Sequence, residues 1–178
     1  MPHTHHRPTR AACAAPLLLL ALLLLAACSS IDCPLNNRVM ASYKLSGDVA
    51  SLTLDTLTVS TTRSQSEGDD TVLVNRAFGV DSLSLPMSYA REEDEFYFAF
   101  TPVQDDASTR TAAIDTVWVE KSNEAHFEAV DCSPAMFHTI TGVRHTTHAI
   151  DSIRINYPHV TYNDAKAHFL VYLKADRD

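Results

Sequence analysis

Residues able to do chemistry concentrate between Phe127 and Val160. That segment carries Cys132 and His138, His145, His148 and His159, four of the six histidines that lie beyond residue 10. Imidazoles and thiolates are the ligands of a zinc site, which makes His145-Thr-Thr-His148 the candidate metal pair. Its spacing works against it. On a strand or turn, residues three apart project to opposite faces, and no His-Glu-x-x-His helix signature occurs. The sequence therefore predicts polar turn or sheet-surface histidines, with no resident metal or other cofactor. Nucleophilic catalysis has no signature either: there is no Gly-x-Ser-x-Gly elbow and no Gly-rich phosphate loop. With four glycines in all, a backbone that closely cradles a ligand is not expected. Trp118 is the only tryptophan. It is out of phase with Val117 and Val119, which puts it on the outer face of a strand. It is expected to pack beneath a loop, with a partner contact as the alternative, since Trp is enriched at binding hot spots.

The elements that must position these residues are strands. Val39, Ala41, Tyr43 and Leu45 alternate with Met40, Ser42 and Lys44, and Ser46-Gly47-Asp48 supplies a turn. One pattern recurs: Asp, Ser or Thr, an aliphatic, any residue, another aliphatic. It runs Asp55–Val59, Asp70–Val74, Asp81–Leu85, Asp115–Val119 and Asp151–Ile155. The two aliphatics share a sheet face, while Asp and Ser/Thr bond to nearby backbone in turns. These read as five strand openings. One Asp per opening lacks the clustered oxygens of a calcium loop, and the irregular spacing is not a solenoid repeat.

Phe96, Phe98 and Phe100 share one face and belong in a core, and Pro102 ends their strand or sets it at an edge. Loops are expected at 64–70, 91–95 and 104–110, with Glu92-Glu93-Asp94-Glu95 as a solvated hairpin loop. Asn163–His168 has the makings of one capped helical turn before a last strand at Phe169–Leu173. No apolar pattern holds a helical period. The fold class that follows is all-β: a single antiparallel β-sandwich, immunoglobulin-like or related, of about seven to nine strands. Its core should hold Leu57, Val59, Val72, Val74, Phe96, Phe98, Phe100, Val117, Val119, Ile153 and Ile155.

Ahead of these strands, Arg7 and Arg10 precede an unbroken apolar run, Leu17–Ala27. The run is too short to span a bilayer and reads as a secretory signal peptide. Leu25-Ala26-Ala27-Cys28 resembles the bacterial lipobox, which implies that Cys28 becomes the lipid-bearing first residue. The expected organisation is a signal peptide at 1–27, a lipidated tether at 28–37 and a sandwich domain at 38–178. Cys13 departs with the leader. Lipid on Cys28 then leaves Cys33 and Cys132, and exported thiols usually pair; ordinary cleavage would instead leave three cysteines, one of them unpaired. The net charge of −8 becomes two units more negative once both leader arginines are lost. That argues against nucleic acid and against electrostatic docking on anionic lipid, so the membrane is expected as a partner only through the anchor. Ser29 and Ser30 lack the acidic residue that resembles an inner-membrane retention signal, which points to an outer-membrane lipoprotein with the leaflet open.

Several stretches together are similar to a family of small uncharacterised lipoproteins from Bacteroides-type bacteria. They are Cys28–Asn37, Asp55–Val59, Ser84–Tyr89, Val130–Val143, His148–Ile153 and His168–Tyr172. The resemblance implies an exported all-β lipoprotein of unknown function and brings no catalytic residues. The expected function is that of a lipid-anchored cell-envelope protein acting as a non-catalytic binding or structural module, contacting another envelope protein or a glycan. The alternatives are an envelope hydrolase built from scattered acids and histidines, or a periplasmic metal- or ligand-binding lipoprotein.

Overall fold

Alternating burial builds this molecule. The computed structural model describes residues 33, 38–47, 55–62, 70–103, 111–162 and 165–174. The proposed signal peptide, Cys28 and most of the tether lie outside the described residues, as do most of the 64–70 loop and the 104–110 loop. The chain divides into two units, Met1–Cys33 and Pro34–Asp178. Within the second, ten strands are described: β1 (Met40–Gly47), β2 (Asp55–Thr62), β3 (Asp70–Phe78), β4 (Ser82–Pro86), β5 (Glu93–Pro102), β6 (Ala113–His126), β7 (Ala135–His145), β8 (Ile150–Ile155), β9 (His159–Val160) and β10 (Phe169–Leu173). No helix occurs among the described residues, and residues 165–168 are irregular where a helical turn was expected.

The strands form two sheets, ordered β4-β1-β10-β8 and β3-β2-β5-β6-β7-β9. One core lies between them. Tyr43 of β1 stacks on Phe169 of its own sheet at 4.6 Å and meets Phe96 and Phe98 of the six-stranded sheet at 6.4 and 5.9 Å. Leu57, Val59, Val117 and Val119 complete the six-stranded side, and Ala41, Leu45, Leu85 and Val171 the four-stranded side. Each large apolar side chain buried in this way contributes about 1.5–3 kcal/mol. His168, fully buried, stitches the sheets together: its Nδ1 accepts from the Ser42 amide of β1, so its Nε2 donates to the His159 carbonyl of β9.

Four expectations need correction. Ten strands are described where about seven to nine were expected. The pairing is not wholly antiparallel, because β1 runs parallel to β10, with Tyr43 opposite Phe169. Gly47 ends β1 with φ near +133°, and a Cβ there would stand 2.7 Å from the Leu173 carbonyl oxygen, so this close approach needs glycine. Two predicted core residues are also exposed. Val72 is 55% exposed because a register shift between Val59 and Ser60 carries it from the face of Val59 to that of Ser60. Ile155 is 37% exposed at the end of β8, an edge strand with no neighbour beyond it to cover the side chain. Val74 and Ile153 are partly buried against the core, and the other predicted positions are buried in it.

Candidate functional site

The alternation that buries apolar residues also carries charge inward. On β5, Asp94 sits one step ahead of Phe96, Phe98 and Phe100 on the core face. On β6, Lys121 follows Val117 and Val119 on the same face. The ladder sets Asp94 opposite Val119, so Lys121 is its diagonal neighbour, and Lys121 Nζ lies 3.5 Å from Asp94 Oδ2. The Glu92–Glu95 run is therefore not a solvated loop: β5 begins at Glu93 and Asp94 is buried.

Lys121 spends all three of its hydrogens here. Nζ donates to the carbonyls of Ser88 (2.7 Å) and Arg91, and to Asn123 Oδ1 (2.9 Å). Asp94 in turn accepts the Ser88 amide at 3.1 Å, and the Arg91 guanidinium stands 3.6 Å from its other oxygen. Both faces of the 88–91 segment are thus pinned by one buried ion pair. Burial raises the Asp94 carboxyl above its ordinary value, against the opposing pull of Lys121, and burial lowers the Lys121 amine.

Asn123 extends the network. Its Nδ2 donates to the Arg91 carbonyl, and its Oδ1 accepts from Lys121 and from His138 Nδ1 at 2.7 Å. A lysine can only donate, so the amide orientation is fixed and Nδ1 carries the imidazole hydrogen. His138 Nε2 is buried with no hydrogen-bond partner. Burial first, and Lys121 second, push the His138 pKa down to about 4. Tyr89 lies nearly parallel above the ring, its centroid 6.5 Å away.

The pinned segment is one wall of a groove of about 420 Å³. Pro86, Met87, Ser88, Tyr89 and Arg91 form that wall, Thr61 and Thr62 of β2 and Thr71 of β3 form the other, and Arg38 adjoins from ahead of β1. Arg91 ties the two walls together by donating to the Thr62 carbonyl at 3.2 Å. The Ser88 hydroxyl accepts the Ala90 and Arg91 amides, which closes the turn before β5.

The candidates expected from sequence lie elsewhere. Asp115 is inside β6 and does not open it. Its buried carboxylate accepts from the Thr146 hydroxyl and the amides of His148, Ala149 and Ile150 at 2.6–2.7 Å, which fixes the β7–β8 connection. Burial alone would raise this carboxyl; the four donors outweigh it and hold it below the usual range. His145 and His148 do not converge: Nδ1 of the first meets the Thr146 carbonyl, and Nδ1 of the second lies 3.2 Å from Asp115. Among the described residues no cluster of three His, Cys, Asp or Glu is arranged to hold a metal ion.

Trp118 is half-buried on the outer face, as its phase required. Arg144, its ladder partner on β7, places its guanidinium 5.1 Å from the indole centroid and is itself held by Glu93 and Glu120. Cys33 and Cys132 are disulfide-bonded, Cys132 in the turn between β6 and β7.

Asp94, Lys121, Asn123 and His138 are the residues that sequence reasoning missed. Their signal was present: extending the Phe96–Phe100 and Val117–Val119 alternations by one step reaches Asp94 and Lys121. No curated protein and no solved structure matches the chain. A family of unknown function, DUF6452, matches residues 56–173, from the second residue of β2 to the last of β10, and the chain belongs to that family.

Proposed function

We propose that this protein is a non-catalytic binding module of the bacterial cell envelope, anchored in the outer membrane by lipid on Cys28, with the groove between Thr71 and Tyr89 as its contact site. The observation that carries the binding reading is how the ionisable groups beside the groove are used. Lys121 and Asp94 direct their hydrogens and lone pairs at the backbone of Ser88 and Arg91. They hold a wall in place and present no acid–base pair to the groove. Among the described lining residues, hydroxyls and the Arg91 guanidinium stand beside Pro86 and Met87, groups that hold a ligand. The lipobox-like Leu25–Cys28 and the resemblance to Bacteroides-type lipoproteins support the anchor.

The test is site-specific photocrosslinking in living cells of the host bacterium, with a photoreactive residue in place of Thr71 in the full chain. The control carries it at Asp151, an exposed position on β8. A discrete adduct from position 71 and none from position 151 is the expected result. No adduct at position 71, or identical adducts from both, contradicts the reading.

A further inference from the structure

The turn between β6 and β7 is apolar where a turn in water is polar. The Cys132 amide donates to the Ala129 carbonyl at 3.2 Å, which makes Val130 and Asp131 the two corner residues. Corners that face water favour Gly, Asn, Asp, Ser and Pro, and a β-branched side chain gains nothing there. Val130 is nevertheless 98% exposed, and Phe127, at the entry to the same turn, is 62% exposed. Single exposed apolar residues need no explanation. Two of them, three positions apart in one turn, call for a cover.

The base of the turn is firmly held. His126, the last residue of β6, stacks on Phe137 of β7 at 4.3 Å, and Tyr162 meets both rings edge-on at 6.2 and 5.1 Å. Glu128 lies 3.4 Å from His126 Nε2, so one acid of the turn is drawn back toward the strand. Phe127 and Val130 therefore stand on a fixed support, which lowers the ordering cost of a contact they make.

Covalent connectivity says what lies near the turn. Cys132 closes it and is joined to Cys33, and Cys33 is five residues beyond Cys28. A lipid on Cys28 is thus connected to the turn by five residues and one bridge, the residues spanning about 18 Å at full extension. Along the main chain alone, β1 begins twelve residues after Cys28, a reach of about 40 Å. The bridge therefore ties this turn to the anchor more closely than it ties β1.

We infer that the β6–β7 turn is a second membrane contact, with Phe127 and Val130 inserted at the headgroup–acyl boundary of the bilayer that carries the Cys28 lipid. A short tether to the anchor supplies an effective concentration on the order of millimolar, so two apolar side chains sustain a contact too weak to recruit the protein by itself. Asp131 limits the depth, since a carboxylate in the hydrocarbon is costly. The attraction is apolar, as suits an acidic chain that gains nothing electrostatically from anionic lipid. This contact rests on the proposed anchor and is independent of the groove.

The full chain, expressed in the host and purified from its envelopes, is reconstituted into vesicles of phosphatidylethanolamine and phosphatidylglycerol, with or without acyl chains brominated near the headgroup. Val130→Trp and Phe127→Trp each place an indole in the turn, and Asp151→Trp places one at an exposed position on β8. Trp118 is the only native tryptophan, so wild-type emission is subtracted from each. Brominated lipid should quench at least about half of the emission added at positions 127 and 130, as for side chains lying about 5–10 Å into the boundary. Emission added at position 151 should not change. Protein that floats with the vesicles while the indoles at both turn positions stay unquenched overturns the turn contact and leaves the anchor standing. Protein that fails to float overturns the anchor, and the turn contact with it. Equal quenching at 127, 130 and 151 also overturns the inference. So does emission that is blue-shifted but unquenched, which would mark contact between copies of the chain.

Discussion

Lys121 Nζ and Asp94 Oδ2 lie 3.5 Å apart with both side chains sealed from solvent, 0% and 1% exposed. Taking either charge away leaves the other buried and uncompensated, at a cost of about 3–5 kcal/mol. Asp94→Asn and Lys121→Met should each lose that much in denaturant unfolding. The double variant should lose clearly less than the sum, since the second change removes the stranded charge. It should still be less stable than the wild type, because the Ser88 and Arg91 carbonyls lose their donor. Strict additivity would show that the two residues do not act as a pair.

Tyr43 has the opposite character. Its hydroxyl is buried with no hydrogen-bond partner, and burial, with the nearby Asp94 charge, holds its pKa far above the ordinary value. The ring is kept by Phe169, Phe96 and Phe98. Tyr43→Phe deletes an unsatisfied polar atom and nothing else, so it should raise stability by about 1 kcal/mol. A loss of stability on chemical denaturation would mean that the hydroxyl has a partner.

Tyr43 was legible in advance, and Asp94 and Lys121 were not. Period-two alternation located most of the described strands, β7 and β9 excepted, and most of the core, because a sheet with one face in water must alternate. Val72 escaped, since a bulge flips the face of a residue without any mark in its own sequence. Asp94 escaped for a different reason. A run of four acidic residues looks solvated until its partner is known, and Lys121 lies 27 positions further along the chain. Asp115 looked like a turn former because its Asp-Thr-Val context repeats that of Asp70, but the donors it satisfies come from the distant Thr146–Ile150 segment. Pairing across strands decides these cases.

The histidine beneath Tyr89 makes stability depend on pH. His138 has a folded pKa of about 4, against roughly 6.5 unfolded. Because the unfolded chain takes up this proton first, the stabilisation is full above the unfolded value. It is lost progressively as pH falls from about 6.5 toward 4, and amounts to about 3 kcal/mol over the window. Wild type and His138→Gln should therefore converge in stability across that interval. Curves that stay parallel would show that His138 does not titrate there.

The proposed attachment to the membrane rests on Cys28. Several buried acyl chains, at about 0.8 kcal/mol for each methylene, hold far more firmly than one chain, which binds only marginally. Cys28→Ala should abolish metabolic labelling with a fatty acid and shift the protein out of the outer-membrane fraction. Undiminished labelling would refute lipidation at this residue.

Amide hydrogen exchange at Ser88 tests most directly whether buried charge fixes the groove wall. The Ser88 amide donates to Asp94 at 3.1 Å, outside any strand ladder. In the wild type it should exchange at least about a hundredfold more slowly than an open loop amide, and in Asp94→Asn that protection should collapse while the amide of Phe98 in β5 stays protected. A Ser88 amide that exchanges freely in the wild type, or one whose protection survives the substitution, would contradict a wall held by the Asp94–Lys121 pair.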